Sequence, residues 1–410
     1  MSDNNGYREY SPQIRDRRVR FLYRDTNADS ASVIGTFNHW KSKAMPMRKN
    51  SRDEWVSDYL ELDGHAIHHY KFLINGNKYI RDPLNFWTES THEGYKNSAF
   101  EIWMENPELD SLLYNMSRNF PPLTHESSIT RDDFLYRLDG FLQMKPVKHS
   151  GALNNFYIRK LETILQKLPR PVPYNTMKIF FLYGSGFIFK TSDITIGIDP
   201  VTTGGIWGLG WSVPDNATDI LADELDILLI THFHTDHLDS VIASKMLKMN
   251  KPVFMPESLV KEFPGATRLP KSKTIKRVRG VTITSYPGAH VYDNGRNIDI
   301  VYYYVQFRDG TVVFHGGDHD YTQFIQHPRR VDIAIPKFGG VHPNFSTSQA
   351  IDIVLKKINP HILIPGHILE IAHPPGGGRG SLRESMHVLE HIKIPNYHFF
   401  WGDMLEFDLV

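Results

Sequence analysis

Thr231-His232-Phe233-His234-Thr235-Asp236-His237 follows the apolar run Asp226-Ile227-Leu228-Leu229-Ile230 without a break. The run reads as a strand buried on both faces. Where a chain is still extended, residues i and i+2 point to the same side, so His232 and His234 can grip one metal ion. Asp236 and His237, as the chain turns into the next helix, can reach a second ion close by. Imidazole plus carboxylate, with no thiolate, suits Zn2+, Mn2+ or Fe2+. The alternative is a histidine-rich turn with no ligand role.

A site for two ions needs ligands from elsewhere, and the chain offers them in loops after predicted strands. Ser285-Tyr286-Pro287-Gly288-Ala289-His290 follows one strand, Phe314-His315-Gly316-Gly317-Asp318-His319-Asp320 ends another, and Ile364-Pro365-Gly366-His367 ends a third. Each is weak alone; together, in this order and each at a strand end, they are strong. With Cys 0 against His 21, metal binding here falls to histidine and carboxylate. Disulfides, thiolate sites and cysteine nucleophiles are excluded.

The 410 residues carry Lys+Arg 46 against Asp+Glu 46, a balance that argues against a dedicated nucleic-acid binder. Hydrophobic residues at 40% and charged residues at 22% are ordinary for a protein with a sizeable core. No run approaches the length of a membrane span. The polar start Met1-Ser2-Asp3-Asn4-Asn5-Gly6 lacks the apolar centre of a signal peptide. A cytoplasmic location is the expectation.

Four stretches follow from the patterning: a tail at 1–16, an all-β region at 17–103, a helical connector at 104–176 and an α/β region at 177–410. Short alternating strands, with Asn75-Gly76 as a hairpin turn, predict an immunoglobulin-like sandwich in the second. Leucines at helical spacing fill the third, where Thr130 reads as a helix cap and Pro169, Pro171 and Pro173 as a stop. In the fourth, strands alternate with helices expected around 237–248, 346–357 and 381–392.

The ordered set at 177–410 resembles the metallo-β-lactamase superfamily, whose pattern is an Asp ending an early strand, His-X-His-X-Asp-His, a His, an Asp and a final His. The resemblance implies an αββα sandwich and two divalent cations, Zn2+ first among the choices. It implies His232, His234 and His290 on one metal, Asp236, His237 and His367 on the other, and Asp318 bridging both. Asp199, in Gly197-Ile198-Asp199-Pro200, would sit behind the ligands and orient them. Gly184-Ser185-Gly186-Phe187 and Gly340-Val341-His342-Pro343 look like the branch of ascorbate-6-phosphate lactonase and N-acyl phosphatidylethanolamine phospholipase D. His319-Asp320 departs from that branch, in which Thr-Gly or Thr-Ala would be commoner.

The implied chemistry is hydrolysis of an ester, lactone or phosphodiester by a hydroxide held between the metals. Asp236 would steer the hydroxide, and His315, His319 and His342 are candidates to protonate the leaving group. Trp207 and Trp211 wall the substrate pocket or pack on the connector. Arg379, in the glycine-rich loop Pro374–Ser381, would favour an anionic group on a small-molecule substrate.

Val33-Ile34-Gly35-Thr36-Phe37-Asn38-His39-Trp40 and His69-Tyr70-Lys71-Phe72-Leu73-Ile74-Asn75-Gly76, with Arg81-Asp82-Pro83 and Asn97-Ser98, resemble carbohydrate-binding module family 48, the fold of the glycogen-binding domain of the AMP-activated protein kinase β subunit. That implies an α-glucan ligand, with Trp40 as a stacking platform, Lys71 and Asn97 as hydroxyl partners and Tyr79 in place of a second Trp. Two other readings remain: a hydrolase whose sandwich is only an interaction domain, and a glycan-binding or scaffolding protein with a vestigial metal site.

Overall fold

From Thr176 onward the apolar runs form two sheets. In the first, the strand order is Thr267–Leu269, Val253–Pro256, Ile227–Leu229, Thr195–Ile198, Phe187–Lys190, Thr176–Phe181, Met404–Asp408. The first four of these run parallel and the rest antiparallel. The second sheet is ordered Thr274–Val278, Val281–Pro287, Val301–Gln306, Val312–His315, Ile333–Ile335, Ile362–Leu363, parallel over its last three strands. Rings meet between the sheets: Phe187 lies 6.1 Å from His315 and Phe189 lies 6.4 Å from Phe307. The fold here is mixed α/β. The computed structural model describes residues 11–409 except 16, 44, 52, 63–65, 86–87, 91–94, 103–105, 127, 144–149, 205, 207–208, 210, 212, 215, 291–297, 322–329, 340–345 and 372–380.

The expected helices are present as Ser240–Lys248, Thr347–Ile358 and Leu382–Leu389, each started by a side-chain cap, from Asp239, Ser346 and Ser381. Among the described residues, no helix is long and apolar enough to cross a membrane.

The N-terminal region is all-β and has its own core, built on Val19, Phe21, Tyr23, Val33, Tyr70, Phe72, Ile74 and Phe100. Asn75 and Gly76 both take positive φ, 50° and 72°, as the tight hairpin between Ala66–Ile74 and Lys78–Ile80 requires. The tail expected at 1–16 ends too late: Gln13–Arg15 already pairs with Arg18–Arg20.

The connector is three helices, Pro107–Asn119, Ile129–Leu142 and Gly151–Lys167, and their caps are Asn106, Ser128 and Ser150. Thr130 lies inside the second helix, because the hydroxyl that meets a free N–H, that of Arg131, is Ser128's. All three helices bury their leucines in the same core as the two sheets. They are part of the α/β unit, not a spacer.

Arg131 fastens them. Its guanidinium pairs with Asp403 and donates to the carbonyls of Pro121 (3.0 Å) and His398 (3.1 Å), with both charged side chains buried. Removing one partner of a buried pair strands the other charge, so Arg131→Met should lower unfolding stability by roughly 3 kcal/mol. Urea denaturation measures this, and an unchanged midpoint would refute the fastening role.

Candidate metal centre

The site residues sit at strand ends: Asp199 follows Thr195–Ile198, His232 to His237 follow Ile227–Leu229, His290 follows Val281–Pro287, Asp318 follows Val312–His315 and His367 follows Ile362–Leu363. At the end of a parallel strand the chain leaves the ladder and its side chains gather above the sheet. Two groups of donor atoms result, each within 4.8 Å of one another: His232, His234, His290 and Asp318 in one, and Asp236, His237, His367 and Glu370 in the other.

Asp318 stands between them. Its Oδ1 lies 3.0 Å from Nε2 of both His237 and His367, and its Oδ2 lies 3.5 Å from Nε2 of His290 and 3.8 Å from Nε2 of His232. One oxygen faces each group. Gly317, at φ 53°, makes that approach feasible, since a Cβ there would come 2.8 Å from Thr231 Cγ2.

Asp199 works from behind. Its Oδ1 accepts the Thr231 N–H (2.8 Å), and its Oδ2 accepts the Thr231 hydroxyl (2.6 Å) and Nδ1–H of His237 (2.7 Å). The Thr231 proton is committed to a carboxylate, so its oxygen accepts from Nδ1 of His232 at 3.0 Å. Both rings therefore donate from Nδ1 and direct Nε2 to the site, the nitrogen that a bound cation would take.

The charges are strongly coupled. Burial disfavours charge on His237, but Asp318, Asp236 and Asp199 outweigh it and hold its pKa well above the usual range. Burial opposes ionisation of Asp318, yet His367, Lys337 and His237 hold its pKa well below the usual carboxylate range. Burial, assisted by Lys337, pushes His290 down to about 3. The buried carboxylates of Asp199, Asp236, Asp318 and Glu370 outnumber the buried ammonium of Lys337, and the histidine and carboxylate donors fit two divalent ions.

Two residues escaped the sequence reading. Glu370 places Oε2 3.2 Å from Nε2 of His367, and Lys337 places its Nζ 3.4 Å from the Asp318 carbonyl and 3.8 Å from its Oδ2. Both are buried. The only sequence signal for Glu370 was an acid three residues beyond His367.

Several assignments need correction. His319, expected as a leaving-group acid, is buried in a bracing position: its Nδ1 accepts the Ala289 N–H (2.9 Å), its ring stacks on Tyr302 at 4.8 Å, and burial pushes its pKa to about 4. It braces the His290 loop, as does Asp320, whose N–H donates to the Ala289 carbonyl (2.8 Å). His315 is likewise committed, with Nε2 on the Ser185 carbonyl (2.8 Å) and Nδ1 accepting from Gly317 (3.2 Å). Trp211 is buried between Tyr157 and Trp401, at 5.4 and 5.7 Å, so it packs on the connector and does not wall a pocket. Trp207, His342 and Arg379 lie outside the described residues.

On the all-β region, Trp40 is 38% and Tyr79 63% exposed, and Trp40 joins neither core. Lys71 is half-buried, with its Nζ 5.9 Å from the ring of Tyr95, an exposed aromatic that the sequence reading passed over. Asn97 is buried, because its strand Lys96–Ile102 lies between Thr88–Ser90 and Ala66–Ile74. It does not offer the open amide expected of a sugar contact.

Residues 178–367 match a family model described as beta-lactamase superfamily domain. Two relatives named UPF0173 metal-dependent hydrolase are similar over 199 residues. The one from Pyrococcus abyssi is 25% identical and the one from Thermococcus onnurineus 28%, each alignment covering 47% of this chain and 84% of the relative. A solved metallo hydrolase from Ignicoccus hospitalis aligns at 20% identity over 57% of this chain and 100% of its own, with a TM-score of 0.44. The stretch that carries both donor groups up to His367 is thus similar to the beta-lactamase superfamily domain and to proteins named metal-dependent hydrolases.

Proposed function

We propose that the chain is a binuclear metal-dependent hydrolase that cleaves an ester, lactone or phosphodiester of a small molecule. The observation that carries this reading is Asp318, whose two oxygens address two separate donor groups. Two divalent cations bound there would lower the pKa of a water between them and stabilise the charge that develops on the attacked group.

The chain's own residues supply orientation and proton transfer. Asp199 and Thr231 fix the imidazoles of His237 and His232 with Nε2 inward. The Asp236 carboxylate, with Oδ2 3.7 Å from Nε2 of His237 and 3.9 Å from Nε2 of His367, would hold that water and accept its proton. With His315 and His319 hydrogen-bonded to the backbone, Asp236 would then return that proton to the leaving oxygen. A panel of phosphodiesters, lactones and thioesters, run with and without chelator, tests the reading. Chelator-sensitive turnover of one class supports it, and no turnover of any class by fully metallated protein would overturn it.

A second reading concerns the all-β region. The exposure of Trp40 and Tyr79, and of Tyr95 beside Lys71, supports a face that stacks on sugar rings of an α-glucan. Trp40→Ala should then weaken binding of the whole chain to insoluble α-glucan by about 1 kcal/mol, the scale of an aromatic stacking contact. A sedimentation assay reads it. Equal sedimentation of both proteins would leave the region as an interaction or support domain.

A further inference from the structure

We infer that Glu370 is a ligand of the second cation and makes that site accept a harder ion than the first. This rests on the binuclear reading above. The first donor group holds three imidazoles and the Asp318 carboxylate; the second holds two imidazoles, from His237 and His367, with carboxylates from Asp236, Glu370 and the other oxygen of Asp318. Imidazole suits Zn2+, whereas added carboxylate oxygen shifts a site toward Mn2+.

The position of Glu370 is built. Gly184 lies against it so closely that a Cβ there would come within 2.0 Å of its Oε1. The Gly184 carbonyl in turn accepts the N–H of His367 (3.0 Å), and Gly184 bridges to Ile368. His367 and Leu369 both adopt left-handed backbone, at φ 56° and 60°, which turns the imidazole and the carboxylate to the same side. Non-glycine residues rarely take that conformation without compensation.

Charge gives a second, independent argument. Buried Lys337 sits on Asp318, where its ammonium repels any cation in the site. Glu370 restores the balance. Glu370 adds a further buried carboxylate to those of Asp199, Asp236 and Asp318 against that ammonium.

The test titrates apoprotein with one equivalent of Zn2+ and then with Mn2+, following free Mn2+ by electron paramagnetic resonance. The wild type should bind about one Mn2+ beside the Zn2+. Glu370→Gln should keep the first equivalent, which also reports that it is folded, and bind Mn2+ at least about 10-fold more weakly. Glu370→Asp, which keeps the charge but withdraws the oxygen, should fall between. Unchanged Mn2+ affinity in Glu370→Gln overturns the inference. A wild type that binds only one cation of any kind overturns the binuclear reading itself.

Discussion

Chelator-stripped protein dialysed against Zn2+ or Mn2+ should retain two equivalents per chain, and Asp318→Ala should retain neither firmly. Removing Asp318 takes a donor from both groups at once, since its oxygens lie 3.0 Å from Nε2 of His237 and His367 and 3.5 Å from Nε2 of His290. It also leaves the buried Lys337 ammonium without its counter-charge. Inductively coupled plasma mass spectrometry after gel filtration measures the stoichiometry. Less than about one equivalent in the wild type after reconstitution would mean that the convergent side chains do not hold metal.

Asp236→Ala and His237→Ala should each reduce turnover by at least about 10^4-fold, toward the uncatalysed rate, while circular dichroism stays that of the wild type. The two residues lie in a loop after strand Ile227–Leu229 and belong to no apolar cluster, so their loss removes site chemistry and not core packing. His237 is the sharper case: its Nδ1 is held 2.7 Å from Asp199, and Asp199→Asn should produce a milder defect of about 10- to 100-fold through misorientation alone. Turnover within a factor of two of wild type in either alanine variant would refute the assignment.

The candidate site was legible where donor residues follow strands. Spacing at His232 to His237 and glycine-flanked loops at Asp318 and His367 are local patterns, and strand ends bring such loops together. Glu370 and Lys337 had no such pattern. Glu370 reaches the site because of two left-handed residues before it, and Lys337 because its backbone bridges to Gly366. Both are tertiary facts. His319 misled for a related reason: its strand-end position matched a functional residue, but its ring is spent on Ala289 and Tyr302. For the connector, leucine periodicity announced helices and said nothing about whose core they enter.

Strand Met404–Asp408 completes the first sheet by pairing with Thr176–Phe181, and Asp403 beside it neutralises Arg131 in a helix that precedes both. During synthesis, therefore, the helices at 107–167 and the strands after them emerge with their apolar faces bare until residues beyond 400 leave the ribosome. The all-β region has a separate core and none of its described strands pair with that unit, so it can close first. The two parts thus mature on different clocks. The longer exposure falls on the hydrolase half, and a nascent chain halted before Asp403 is the species most in need of a chaperone.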